Sequence, residues 1–172
     1  MENKCLIVFP PFVGGHHLGQ LMSTALMDYT TEQIQAIYDL NKNNIDGAAD
    51  YYFKYSKLYI GHLLDAVKFM QRHTDVDLIV LTYPDNWAGV LGKRIQDNSS
   101  QIVAQIDFYK YIYTGQSISR LLNIPPERSL EVSSQLLENP NVNQILDQLP
   151  KWGYKRDICQ TMHNRWLTMI TQ

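Results

Sequence analysis

The chain has 172 residues, 45% of them hydrophobic, which suits the packed core of one α/β domain. Its formal net charge of -2 argues against a general nucleic-acid-binding protein, because such proteins are normally basic. No apolar run reaches the ~18 residues of a membrane span, and the stretch before Pro10 is too short for a signal peptide. We therefore expect a cytoplasmic protein without a membrane partner, whose cysteines, Cys5 and Cys159, are reduced and buried.

The first predicted unit is a strand, a glycine turn and a helix. Residues 5–9 are apolar and predict a buried strand, and an apolar periodicity from Leu18 onward predicts a helix. The turn between them holds Gly14, Gly15, His16 and His17. Such a turn gathers backbone N–H groups at the positive end of a helix dipole, which favours anion binding. A tight turn with one capping and one exposed histidine explains the same residues without a ligand.

The elements that follow, in chain order, alternate between strand and helix. Thr31 is expected to cap a short helix, residues 41–50 to form a surface loop, residues 58–63 a short strand and residues 64–72 a helix; the aromatic stretch 51–59 is ambiguous. Residues 76–83 give the clearest strand, and Pro84 and Asp85 predict the start of the next helix. The expected remainder is a helix over 101–114 broken at Gly115, a short helix from a Ser117 cap to Leu122, a strand over 129–133 and two closing helices, the last over 155–170.

This alternation predicts an α/β fold: one domain over residues 1–172, built as a three-layer sandwich around a mainly parallel sheet. Ligands of such sheets bind beyond the carboxyl ends of the strands. That rule places residues 14–17, His62 and residues 82–85 along one edge. His62 at the end of a strand can act as a general base, because the ordinary histidine pKa of ~6.5 suits proton transfer near neutral pH. A half-buried histidine bonded to a backbone carbonyl is the alternative.

Two further features are ambiguous. Asp85 opens a predicted helix that carries Arg94, which fits an anion site but also an ordinary solvated helix face. The aromatic side chains of residues 108–113 fit a pocket wall but also ordinary packing. Adjacent histidines point to different sides of a helix, so we expect no metal site at His16 and His17.

Four segments, in chain order, resemble the sulfotransferase branch of the P-loop fold. VGGHHLGQL (13–21) resembles the donor-phosphate loop, and GHLLDAV (61–67) resembles the THLP segment with its catalytic histidine. LTYPDNWAGVLGKR (81–94) resembles the stretch that holds the 3'-phosphate of the donor, and LEVSSQLLENPNVNQILDQLPKWGY (130–154) resembles the late YEDLL signature. CQTMHNRWLTMI (159–170) resembles small sulfotransferase-like proteins of marine phages. This last resemblance implies, as one hypothesis, a viral protein that acts in the host cytoplasm.

The resemblance implies a P-loop transferase that uses 3'-phosphoadenosine 5'-phosphosulfate as its sulfate donor. It implies His62 as the catalytic base, assisted by His17. The donor would be held by the following residues: Gly14, Gly15, His16, His17, Leu18, Asp85 and Arg94.

The segments depart from the family pattern mainly by lacking its positively charged residues. Val13 replaces the Lys or Arg of the loop, Thr82 replaces the 3'-phosphate arginine, and Ile60 stands where a second catalytic lysine often lies. Each lost charge-assisted hydrogen bond is worth roughly 1.5–3 kcal/mol. The alternatives are therefore an inactive binding or assembly module, for which a homo-oligomer is left open, and a glycosyltransferase-like half domain suggested by residues 9–21 and 84–95.

Overall fold

The computed structural model describes residues 4–40, 57–85, 87–98 and 100–172. The expectations for the loop 41–50, for residues 51–56 of the aromatic stretch and for Asn86 concern positions outside these ranges. The strands are β1 (Lys4–Val8), β2 (Leu58–Gly61), β3 (Val76–Thr82) and β4 (Ser129–Ser133). The helices are α1 (Gly15–Ser23), α2 (Thr31–Leu40), α3 (Leu63–Met70), α4 (Val90–Asn98), α5 (Ser100–Ala104), α6 (Ile106–Ile112), α7 (Gly115–Leu122), α8 (Val142–Leu146) and α9 (Arg156–Thr171). In addition, 3₁₀ helices cover Pro126–Arg128 and Ser134–Glu138.

In the described part of the chain the sheet has four strands in the order β2-β1-β3-β4, and every pair is parallel. The predicted α/β class with a parallel sheet is confirmed. The central strands are nearly continuous apolar runs because both of their faces are covered, as parallel sheets require. Val8 at the end of β1 pairs with Gly61 on one side and with Val80 on the other.

Side chains of β1 alternate between two separate cores, one on each face of the sheet. Cys5 and Ile7 pack with α1 and α9, whereas Leu6 and Val8 pack with α3 and α7. Cys5 and Cys159 are free, buried thiols, and burial raises the pKa of both. Of the helices described, none has both the length and the apolarity to cross a bilayer.

Several helix starts differ from expectation. The Thr30 hydroxyl, not Thr31, caps α2: Gln33 N–H donates to Thr30 Oγ1 at 3.2 Å, and Thr30 N–H donates to the Gln33 side chain at 2.9 Å. This reciprocal pair is a capping box. Thr114 caps α7 by accepting from Ser117 N–H, so Gly115 opens that helix rather than breaking one. The helix expected over 101–114 is interrupted at Gln105, and the helix expected at Pro84 begins only at Val90.

Candidate functional site

The order of the strands defines the edge at which a ligand would bind. The chain leaves β1 to one side to form β2 and returns to the other side to form β3, so β1 lies at a topological switch point. Ligands of open parallel sheets bind in the crevice outside such a point. The segments that meet there are the β1–α1 loop (residues 9–14), His62 after β2 and residues 83–85 after β3.

His62 lies directly against the β1–α1 loop. It is the N-cap residue of α3, and its Nδ1 is 2.9 Å from the carbonyl oxygen of Phe9. A carbonyl oxygen can only accept, so Nδ1 carries the proton. In the neutral imidazole the lone pair is then on Nε2. The carbonyl bond expected of an ordinary half-buried histidine thus also gives His62 the tautomer that a general base needs.

The Phe9 ring gathers two of the predicted site residues. Its centroid is 4.7 Å from the His62 ring and 5.0 Å from the His16 ring. Both histidines are half-buried. The structure therefore brings His16 and His62 into contact with one aromatic side chain at the end of β1. Phe9 itself is predicted from sequence only as part of the strand.

Both loop glycines are needed for packing. Gly14 has φ 81, a left-handed conformation that favours glycine, and a Cβ there would lie 2.9 Å from Trp166 Cζ2. A Cβ on Gly15 would lie 2.1 Å from the Phe9 ring. Protein side chains therefore occupy the space beside each glycine.

His17 is placed differently from the prediction. It is 2% exposed and stacks on Trp166 of α9, with ring centroids 4.3 Å apart. His17 Nε2 is 2.9 Å from His163 Nδ1, and His163 Nε2 is 2.6 Å from the carbonyl oxygen of Asn139. Since that carbonyl must accept, each imidazole carries its proton on Nε2, and His17 donates to His163. The expected catalytic and donor-binding residue thus lies in a buried contact between α1 and α9.

Burial sets the charge state of this histidine pair. Loss of hydration lowers the pKa of His17 well below its ordinary value, the neighbouring His163 lowers it further, and Gln20 opposes the shift. Burial also lowers the pKa of His163, and the bond to Asn139 opposes that shift. Both rings are therefore neutral at physiological pH.

Leu18 has no group available to bind a sulfate-donor nucleotide. Its side chain is fully buried, and its N–H donates to the Gly14 carbonyl at 3.1 Å within α1. The expectation that it binds the donor does not match this placement. The backbone N–H groups of the first turn of α1 remain as hydrogen-bond donors to a ligand, as at any helix N-terminus.

The predicted anion site at the start of α4 is occupied by a side chain of the protein. Glu138 Oε1 accepts from Leu91 N–H at 2.8 Å, and a Cβ on Gly89 would lie 2.6 Å from the Glu138 carboxylate. Asp85 is exposed in the turn before this helix. Arg94 lines a separate groove of about 500 Å³ between α4 and the end of α9, to which the β1–α1 loop contributes no residue. Arg94 thus lines a groove that the loop does not share, whereas Asp85 follows β3 at the same edge of the sheet as the loop.

Neither the loop 9–15 nor the turn 82–85 contains a lysine or arginine. Within the described ranges no cluster of three or more His, Cys, Asp and Glu side chains could hold a metal ion. Comparison of the chain with protein-family models, curated proteins and solved structures returned no match.

The residues that sequence reasoning missed share a cause. Phe9, Glu138, His163 and Trp166 act through contacts made by distant parts of the chain. A glutamate that closely follows a strand has no sequence pattern that assigns it to a helix start 47 positions away. The one usable signal was the pair Gly14 and Gly15 in the turn, because glycine often stands where another part of a structure approaches the backbone closely.

Proposed function

We propose that the protein transfers a sulfuryl or related phosphoryl group from a phosphorylated nucleotide to a hydroxyl acceptor. The observation that carries the proposal is the hydrogen bond from His62 Nδ1 to the Phe9 carbonyl, because it orients the imidazole at the switch point with Nε2 as the basic atom. The donor proposed is 3'-phosphoadenosine 5'-phosphosulfate.

The positions of the four resembling segments support this proposal. Each contains the carboxyl end of a strand or the connection that follows it: residues 13–21 follow β1, 61–67 follow β2, 81–94 follow β3 and 130–154 begin in β4. The four strands are neighbours in one sheet, so the segments share one edge.

The reaction would use few side chains. His62 Nε2 takes the proton of the acceptor hydroxyl while the hydroxyl oxygen attacks the sulfur of the donor. The bond between the sulfur and the bridging phosphate oxygen breaks. The products are the sulfated acceptor, the nucleotide bisphosphate and one proton held by His62. N–H groups of the first turn of α1 and the His16 ring would stabilise the charge on the transferred group.

The absence of loop cations sets the expected affinity. Two missing charge-assisted hydrogen bonds, at roughly 1.5–3 kcal/mol each, correspond to a loss of about 10²–10⁴ in affinity. Titration calorimetry should therefore be carried out at millimolar donor and, separately, with adenosine 3',5'-bisphosphate. Binding of both is expected, and no heat from either at that concentration would refute donor binding.

A matched pair of variants tests the base. Asn at position 62 can still donate to the Phe9 carbonyl through its amide but has no basic nitrogen, so His62→Asn should bind the donor and lose transfer by at least 10²-fold. His73→Asn is the control, because His73 contacts Lys4 and Phe69. Equal transfer by wild type and His62→Asn would remove His62 from the mechanism.

A second candidate function is a binding or assembly module without catalysis. The rings of Phe9 and Trp166, which fill the space beside the two loop glycines, favour it. Native mass spectrometry discriminates: a stable homo-oligomer that binds neither nucleotide supports the module, and a monomer that binds both contradicts it.

A further inference from the structure

Helix α6 packs near the edge at which ligands are expected. Tyr109 of α6 packs against both cores, and its ring is 6.3 Å from that of Tyr83, the first residue after β3. Tyr113, the residue after α6, belongs to the same core cluster as Leu63, the first residue of α3 after β2. Tyr109 and Tyr113 thus lie near the carboxyl ends of β3 and β2, the two strands that flank β1.

Tyr83 has a buried hydroxyl without a partner. The residue is 3% exposed, and no hydrogen bond to Tyr83 Oη is present in the described part of the chain. Loss of hydration raises the pKa of this phenol, and Tyr113 and Tyr109 raise it further, so these phenols lie close together. A buried polar group without a partner is costly, and native proteins usually supply it with a partner or a bound molecule.

Helix α6 is held by half-buried side chains, among them Ile106 and Ile112. Helix α6 has seven residues, none of them fully buried, and no side chain caps its start. Phe108 and Tyr111 on its outer side are 62% and 77% exposed. Lys110 adds a contact toward the β3–α4 connection: its Nζ lies 5.5 Å from the centroid of the Trp87 ring. Short helices with few buried contacts are among the first parts of a protein to open.

We propose that Tyr83, Tyr109 and Tyr113 form a binding subsite for a planar ring with a hydrogen-bonding edge, which enters between Tyr83 and the two other tyrosines when α6 shifts outward. The ring would lie against the tyrosine faces, and its polar edge would pair with Tyr83 Oη. This proposal rests on the proposed function, because the subsite lies beside Leu63, the residue after the proposed base His62. Two sources supply such a ring: the base of the nucleotide donor, or a ring that carries the acceptor hydroxyl.

The first experiment needs no ligand. If Tyr83 Oη has no partner in the free protein, Tyr83→Phe leaves the melting temperature unchanged or raises it. Tyr154→Phe is the matched control: Tyr154 is also largely buried, but its hydroxyl donates to the Pro150 carbonyl. Loss of this hydrogen bond in Tyr154→Phe should lower the melting temperature by about 2–4 °C. An equal fall in both variants would show that Tyr83 already has a partner and would overturn the proposal.

The second experiment titrates adenosine and phenol, separately, into the full chain while amide exchange of residues 106–112 is followed. At least one ring should change that exchange, and Tyr83→Phe should weaken its binding at least fivefold. Inorganic sulfate should leave the exchange unchanged. A response to adenosine alone assigns the donor base, and one to phenol alone assigns the acceptor ring. Neither ring binding at millimolar concentration, or equal binding by Tyr83→Phe, would overturn the subsite. Neither probe carries a transferable group, so this result is separate from the His62→Asn test.

Discussion

The buried pair of His17 and His163 makes stability depend on pH. In the folded state both imidazoles are neutral, and the causes of their pKa shifts include no carboxylate. Unfolding restores the ordinary histidine pKa near 6.5, so the unfolded chain binds more protons below that pH. The free energy of unfolding is therefore highest above pH ~6.5 and decreases as the pH falls from there toward the folded pKa values.

The magnitude follows from this linkage. For a histidine that stays neutral in the folded state throughout, lowering the pH from 7.5 to 5.5 costs about 1.4 kcal/mol of stability. His17, which is 2% exposed, should contribute about this amount, and the less strongly shifted His163 a part of the same. The pair should cost about 1.4–2.7 kcal/mol over the two pH units.

Urea unfolding at pH 7.5 and 5.5 measures this difference. The control is the double variant His17→Gln with His163→Gln, because a glutamine can donate and accept in place of each ring but does not titrate. It loses stacking on Trp166 and is less stable at both pH values, yet its pH dependence should fall by about 1.4–2.7 kcal/mol relative to wild type. An identical pH dependence in the two proteins would show that this histidine pair is not its source.

Three further predictions concern stability and can be checked by the same unfolding measurement. Gly15→Ala places a Cβ against the Phe9 ring and should cost about 1–3 kcal/mol, most of it recovered by adding Phe9→Leu; no recovery would point to another cause. Glu138→Ala removes the acceptor for Leu91 N–H and should cost about 1 kcal/mol, whereas the exposed Glu127→Ala should cost less than about 0.5 kcal/mol; equal losses would deny Glu138 a capping role. Thr114→Ala should cost about 1 kcal/mol through the lost α7 cap, and an unchanged midpoint would contradict that assignment.

The strands were predictable because their signal is local. Residues 129–133 form a strand as expected, and the run from Val76 ends one residue early, at Thr82. β-branched and apolar residues between turn signals determine such elements with little help from the rest of the chain.

Helix starts were predicted less well because capping depends on which neighbour supplies an acceptor. Pro84 and Asp85 form a good local start, but α4 begins at Val90, where the Glu138 carboxylate accepts from its first turn. Ser117 and Thr114 are both competent caps, and only the three-dimensional path selects Thr114.

The candidate site was predictable in position and only partly in composition. Strand order brings the β1–α1 loop and His62 together, and that follows from the α/β pattern. His16 and His17 are adjacent, yet one contacts Phe9 at the loop and the other is buried against α9. The sequence does not show which side of α1 the last helix will cover.

The proposed function requires the β1–α1 loop and His62 to form one binding site for the anionic group of a nucleotide. Titration of adenosine 3',5'-bisphosphate, followed by nuclear magnetic resonance, shows whether they do. We expect saturable shifts of the Gly15 and His16 amide signals and of the His62 ring signals with one shared dissociation constant, while Gly153, in the connection between α8 and α9, stays unchanged. Shifts confined to other parts of the chain, or none at millimolar nucleotide, would contradict it.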